Sequence, residues 1–174
     1  MKVFAVCGFS NSGKTTTVEC IINELVARGY KVGSIKHIHC DDFKMDSDPE
    51  RDTSRHRAAG SRLVSAHAKQ ETALLFSHRL PTQKLLTLYQ GECDWVVCEG
   101  ISDITIPTII TAHSEDDILK KWNDMVFCIS GVVSASIDGY NGVPAIDATR
   151  KIGELVDLIE DTVCDSALDF VGNH

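Results

Sequence analysis

No stretch of this 174-residue chain approaches the length of a membrane span. Such a span needs roughly 20 consecutive apolar residues, so no membrane association is expected. Basic residues are also short: 17 Lys and Arg stand against 25 Asp and Glu, for a net charge of −8. A broad nucleic-acid face needs clustered Lys and Arg, so no nucleic acid is expected as partner, although an acidic protein can still hold an anion locally. Paired cysteines are missing too. Seven stand at 7, 20, 40, 93, 98, 128 and 164, an odd number with no CxxC spacing. Most lie in apolar runs, as Cys7 in VFAVC and Cys128 in MVFCIS. They read as small buried hydrophobes in a reducing, cytoplasmic setting. The chain enters a strand pattern at Lys2 with no signal-type segment before it. There is no repeat, low-complexity tract or linker, and the length suits one domain over 1–174.

Apolar β-type runs alternate with helical patterns along the chain. Lys2–Cys7 reads as a strand and Lys14–Ala27 as a helix, with Val18, Ile21, Ile22, Leu25 and Val26 on one face and Gly29 as its stop. YKVGSIKHI is a second strand, followed by the acidic loop CDDFKMDSDPE. RDTSRHRAAG reads as a short helix closed by Gly60, SRLVSAHA and ETALLFS as short strands, and Pro81 as the start of another helix. DWVVC, IPTIITA and DMVFCIS are strands, the last two separated by the helix-like SEDDILKKW. A YNG turn and a short VPAID precede a final helix with Ile152, Leu155, Val156, Ile159 and Val163 on one face. Alternating β and α units predict an α/β fold of the P-loop type, a mostly parallel sheet with helices on both faces. Ligands in such sheets bind beyond the carboxyl ends of the strands.

Gly8, Gly13, Lys14 and Thr15 satisfy GxxxxGK[ST] between a strand and an amphipathic helix. Small residues let the backbone curl around an anion, and the helix start presents unpaired N–H groups and a positive dipole end. Lys14 brings a full charge to the β- and γ-phosphates, and the Thr15 hydroxyl is placed to hold Mg2+. Asn11, Ser12 and Thr16 complete the phosphate-binding set. The expected ligand is a nucleoside triphosphate with Mg2+.

A metal-dependent site needs a carboxylate at the end of a neighbouring strand. Glu99 directly follows DWVVC, whereas Asp94 begins that strand and falls at the wrong end. Glu99 is therefore assigned to Mg2+, directly or through water, and is paired with Lys14 as the catalytic set. KHIHC and the loop carrying Asp41, Asp42 and Asp46 reach the same edge. Lys36 would approach a phosphate and Asp46 the metal's outer shell, unless the loop is simply a solvated charged one. HIHC packs three donors but lacks the distant partner pair of usual zinc spacing. Arg55 and Arg57 could clamp a phosphate, that of a second ligand or of a partner subunit, or be surface charge.

The base is not written in the residues. FKMD contains KxD but lies after the second strand, far from where a base should sit, and GVVSAS after DMVFCIS offers no Asp. A small-molecule kinase using ATP or GTP also fits the loop, with SRHRAAG as a source of arginines.

Three blocks, GFSNSGKTT, GYKVGSIKHIHCDDFKMDSDPERDTSRHRAAGS and DWVVCEG, together resemble the MobB family, GTP-binding adapters of molybdopterin-guanine dinucleotide biosynthesis. The likeness covers about the first hundred residues best, and its middle block is the most specific. It implies GTP with Mg2+, slow hydrolysis, a homodimer, and partnership with the molybdopterin guanylyltransferase and other molybdopterin-handling enzymes. Apolar late segments such as IPTIITA also hint at a subunit interface. The chain departs from the family pattern at Ser102 and Thr108, where Lys is common, and at Gly131, where Asp is frequent. These changes touch the second-substrate contacts and the base pocket and leave the triphosphate site intact.

Overall fold

The computed structural model describes residues 1–40, 43–45 and 48–165. Asp41, Asp42 and Asp46 lie outside the described residues. The chain divides into two compact units: Met1–His37 with the chain from Leu86 onward, and Ile38–Leu85. No linker composition marks either boundary.

The first unit is built on a five-stranded parallel sheet. Its strands are β1 (Lys2–Gly8), β2 (Val32–Lys36), β5 (Trp95–Glu99), β6 (Thr108–Thr111) and β7 (Val126–Ser130), in spatial order β2-β5-β1-β6-β7. The interior strands are uninterrupted apolar runs because both faces are covered. Val3 through Val6 and all five residues of β5 are buried. β2, at the edge, alternates buried and exposed positions from Gly33 on. β6 is buried throughout and pairs with β1 on one side and β7 on the other. IPTIITA is thus an interior strand, and its apolar character belongs to the core.

Period-2 side-chain alternation sorts the core onto two faces. Phe4, Val6, Val97, Ile109 and Cys128 meet Val18, Ile21 and Leu25 of α1 (Lys14–Ala27) and Leu155, Val156 and Ile159 of α5 (Ile152–Thr162). Ile110 and Ile129 meet Ile118 of α4 (Glu115–Lys121) and Val133 of a short 3-10 turn, Val132–Ala135. Helices therefore cover both faces, as expected. Each of the fully buried Leu and Ile side chains contributes about 1.5–3 kcal/mol. A two-residue hairpin, β8 (Gly139–Tyr140) with β9 (Val143–Pro144), follows β7.

The second unit holds α2 (Asp52–Ala58), the antiparallel pair β3 (Leu63–His67) and β4 (Thr72–Phe76), and the first turn of α3 (Thr82–Thr87). β3 and β4 form a sheet of their own and do not join the parallel one. Val64 is buried in this unit, while Leu63 and Leu74 remain exposed.

Candidate functional site

The loop between β1 and α1 is held from below by the end of the neighbouring strand. Ser12 is wholly buried, and its hydroxyl lies 2.8 Å from the Phe9 carbonyl oxygen and 2.7 Å from the Thr111 hydroxyl. Val132 donates its N–H to the Ser12 carbonyl at 3.3 Å. Two glycines make this close approach possible. A Cβ on Gly8 would sit 2.2 Å from the Thr111 carbonyl oxygen. A Cβ on Gly131 would sit 2.1 Å from the Ser12 carbonyl oxygen, and Gly131 has φ +78°. Side chains cannot enter either space, so Gly131 is a structural backstop of the loop.

The first turn of α1 is left open electrically. Its N-cap is Gly13, in the left-handed conformation, with no side-chain cap and no acidic residue in the first turn. α4 in the same unit shows the opposite treatment. Ser114 caps it by accepting from the Asp117 N–H, and Glu115, Asp116 and Asp117 fill its first turn. A 14-residue helix without cap or acid leaves its first N–H groups and positive end for an external anion. Asn11, at φ +61°, and Thr16 are exposed around this opening. The Lys14 ammonium donates to the Phe9 carbonyl, folding over the loop. Burial, then the nearby Lys36 charge, holds its pKa below the usual lysine value. The negative charge of an anion placed here would offset both effects.

The carboxylate comes from β5. Parallel register sets Glu99 beside Val6 of β1 on one side and Lys36 of β2 on the other. Glu99 Oε1 accepts from the Thr15 hydroxyl at 3.0 Å and is ion-paired with the Lys36 ammonium. Glu99 is buried, with 6 % exposure, so its charge needs these partners. Asp94 lies at the far end of β5, where its carboxylate accepts from the Lys31 N–H at 2.8 Å.

The Thr15 and Glu99 oxygens fit Mg2+. Both are hard oxygen donors, and adjacent ligands of an octahedral ion with bonds of about 2.1 Å lie about 3 Å apart. The observed separation is 3.0 Å. Lys36 already supplies one positive charge to the same oxygen.

Of the expected residues, Gly8, Asn11, Ser12, Gly13, Lys14, Thr15, Thr16, Lys36 and Glu99 all belong to the first unit and surround the loop. Arg55 and Arg57 belong to the second unit and line a cavity within it. Asp46 is outside the described residues. Three contributors were not read from the sequence. Thr111 supports Ser12, His113 Nε2 lies 3.3 Å from the Ser10 carbonyl oxygen, and the Lys121 ammonium lies 4.8 Å from the centre of the Phe9 ring. The only signal for Thr111 is a hydroxyl ending an apolar strand, and that residue type is common there.

The parallel sheet, the uncapped glycine-started helix and the Thr15–Glu99 pair define a protein of the P-loop nucleoside-triphosphatase fold. The family model for MobB, molybdopterin guanine dinucleotide synthesis protein B, matches residues 3–131. The chain belongs to the MobB family. It is 32% identical over 163 residues to a molybdopterin-guanine dinucleotide biosynthesis adapter protein of Haemophilus influenzae, covering 91% of this chain and 87% of that one. It is 38% identical over 116 residues to the adapter protein of Escherichia coli, covering 62% and 63%. The crystal structure of Bacillus subtilis MobB shares the fold, with TM-score 0.78 at 23% identity over 95% of this chain and 99% of that one.

Proposed function

We propose that this protein is a GTP-binding adapter in molybdopterin guanine dinucleotide biosynthesis, with slow Mg2+-dependent GTP hydrolysis. The observation that carries the nucleotide half is the Thr15 hydroxyl on Glu99 at 3.0 Å, directly beside an uncapped helix start. The adapter half is supported by family membership and by the adapter relatives.

In this reading the loop N–H groups and Lys14 hold the β- and γ-phosphates. Thr15 and Glu99 would hold Mg2+, which when bound would supply positive charge to the phosphates. Lys36, released from Glu99, turns to the γ-phosphate. Glu99 then orients a water through its carboxylate. Nothing in this set is a strong general base flanked by a second charge-stabilising arginine, which accords with slow turnover. Asp46 is proposed for the outer shell of the metal. GTP preference, a homodimer and a partner guanylyltransferase are proposed on the family resemblance.

Competition titration with GTP and ATP in Mg2+ tests the base, and equal affinity or ATP preference ends the GTP reading. Release of phosphate without a phosphorylated acceptor is the expected product pattern. Sedimentation equilibrium with nucleotide present tests the dimer, and a clean monomer at micromolar concentration counts against it.

A further inference from the structure

We propose that the second unit carries an anion site of its own: the cavity lined by Lys44, Ser54, Arg55 and Arg57 binds a dianionic phosphate group. The cavity has a volume of about 370 Å³, and no carboxylate lines it among the described residues. In a chain of net charge −8, a wall with three cations and no acid is a local reversal of sign. Contact attraction governs there, because charges beyond about 8 Å are screened at physiological salt.

The cations are available, and one hydroxyl beside them lacks a partner. The Ser54 hydroxyl is closed off from solvent and has no hydrogen-bond partner among the described residues. A buried hydroxyl left unpaired is costly, and a side-chain rotation that brings it to the cavity would let a bound oxyanion accept its proton. Arg57 has no ion pair among the described residues. Arg55 reaches Asp52 only at 3.5 Å, and both side chains are exposed, so that tether is weak. Ser77 also lines the cavity, but its proton is given to the Ser61 carbonyl at 2.7 Å, so it serves as wall.

The shape of the donor set selects the anion. Ser54 and Arg57 stand three residues apart on α2 and share a face. Lys44 arrives from the preceding loop and Arg55 from the adjoining face of α2. Cations supplied to one cavity wall by a loop and by two faces of a helix suit a group with three or more acceptor oxygens better than a flat carboxylate. Guanidinium forks match phosphate oxygens in pairs. A free phosphate ion and the terminal phosphate of a small-molecule monoester share this chemistry. The site shares no residue with the loop after β1, so it stands whether or not that loop binds GTP.

The test uses the full chain carrying Lys14→Ala, which handicaps the loop after β1. Inorganic phosphate, glucose 6-phosphate and sulfate are titrated separately by calorimetry at low salt. Saturable binding of one equivalent is expected. Arg57→Gln should weaken it about 10-fold or more, and Ser54→Ala several-fold. The second pKa of a phosphate monoester is about 6 and that of inorganic phosphate is higher, so both should bind less tightly at about pH 5.5 than at about pH 7.5, while sulfate should not. Tighter binding of glucose 6-phosphate assigns the site to a small-molecule monoester, and equal or tighter binding of inorganic phosphate assigns it to the free ion. Folded Arg57→Gln and Ser54→Ala proteins that bind all three anions as their parent does would overturn the proposal. So would the absence of saturable binding in the parent.

Discussion

Thr15 and Glu99 are 84 residues apart in sequence, yet their side-chain oxygens lie 3.0 Å from one another. The contact exists because β5 inserts between β1 and β2, bringing its last residue beside the start of α1. The Lys36 ammonium on the same carboxylate oxygen completes a three-residue cluster at one sheet edge.

Glu99→Gln keeps the shape of this cluster and removes its charge. Nucleotide should still bind, since Lys14 and the helix start remain. The Mg2+ dependence of binding should weaken, and single-turnover hydrolysis should fall about 10- to 100-fold. Affinity with and without Mg2+, together with the hydrolysis rate, checks this. Unchanged Mg2+ dependence would move the metal carboxylate into the loop holding Asp41, Asp42 and Asp46.

Lys14→Ala should fail in a different way. It removes a charge-assisted hydrogen bond to phosphate worth about 1.5–3 kcal/mol. Triphosphate affinity should drop about 10- to 150-fold whether or not Mg2+ is present. A loss seen only with Mg2+ would contradict the assigned role.

Gly131→Ala and Gly142→Ala contrast a crowded glycine with an open one. Both glycines have positive φ, +78° and +81°, but a Cβ on Gly142 meets nothing within 4 Å. The second change should cost about 1–2 kcal/mol from strain alone. Gly131, at φ +78° and ψ −155°, lies in a region essentially reserved for glycine. A Cβ there would also overlap the Ser12 carbonyl, so the first change should cost about 2–4 kcal/mol. It should also weaken nucleotide binding, because Ser12 sits in the loop. Thermal unfolding and nucleotide titration of both variants make the comparison.

The thiols should sort by burial. Cys40 and Cys164 are exposed, while Cys98 and Cys128 are buried with pKa pushed up to about 12, chiefly by burial. A thiol reagent at mildly alkaline pH should modify Cys40 and Cys164 first and reach Cys98 and Cys128 only after unfolding. The raised pKa values also set a pH dependence. The unfolded thiols ionise near pH 8.5, so this stabilisation is complete below that pH. It is lost progressively as pH rises toward about 12. Cys128→Ala should flatten part of that alkaline decline in unfolding free energy. An identical slope would show that burial of this thiol does not govern it.

Much of the architecture is legible in the residues because it is local. The helix Lys14–Ala27 has the bounds its pattern predicts, and Val18, Ile21 and Leu25 are buried as expected. Val26, expected on the same face, is exposed and Thr17 is buried in its place, because the face that packs is set by the neighbouring sheet and helix. β1, the position of Glu99 at a strand's carboxyl end, and the exclusion of Asp94 follow from run length and strand direction. The phosphate loop is legible because one short segment contains the glycines, the lysine and the hydroxyl that its chemistry needs.

The chain's own residue pattern therefore determined the α/β alternation, the anion-ready turn and the candidate carboxylate. Tertiary structure alone decided which of these meet. Periodicity says which side of a strand is buried, but not which strand lies next to it. Strand order is set by long-range packing, and that order placed Lys36 and Thr15 on Glu99, and Thr111 and Gly131 behind Ser12. It also took IPTIITA into the core and set β3 and β4 apart as their own sheet. Ser54 and Lys44, unremarkable in sequence, became lining residues only when α2 and its neighbouring loops closed around a shared cavity.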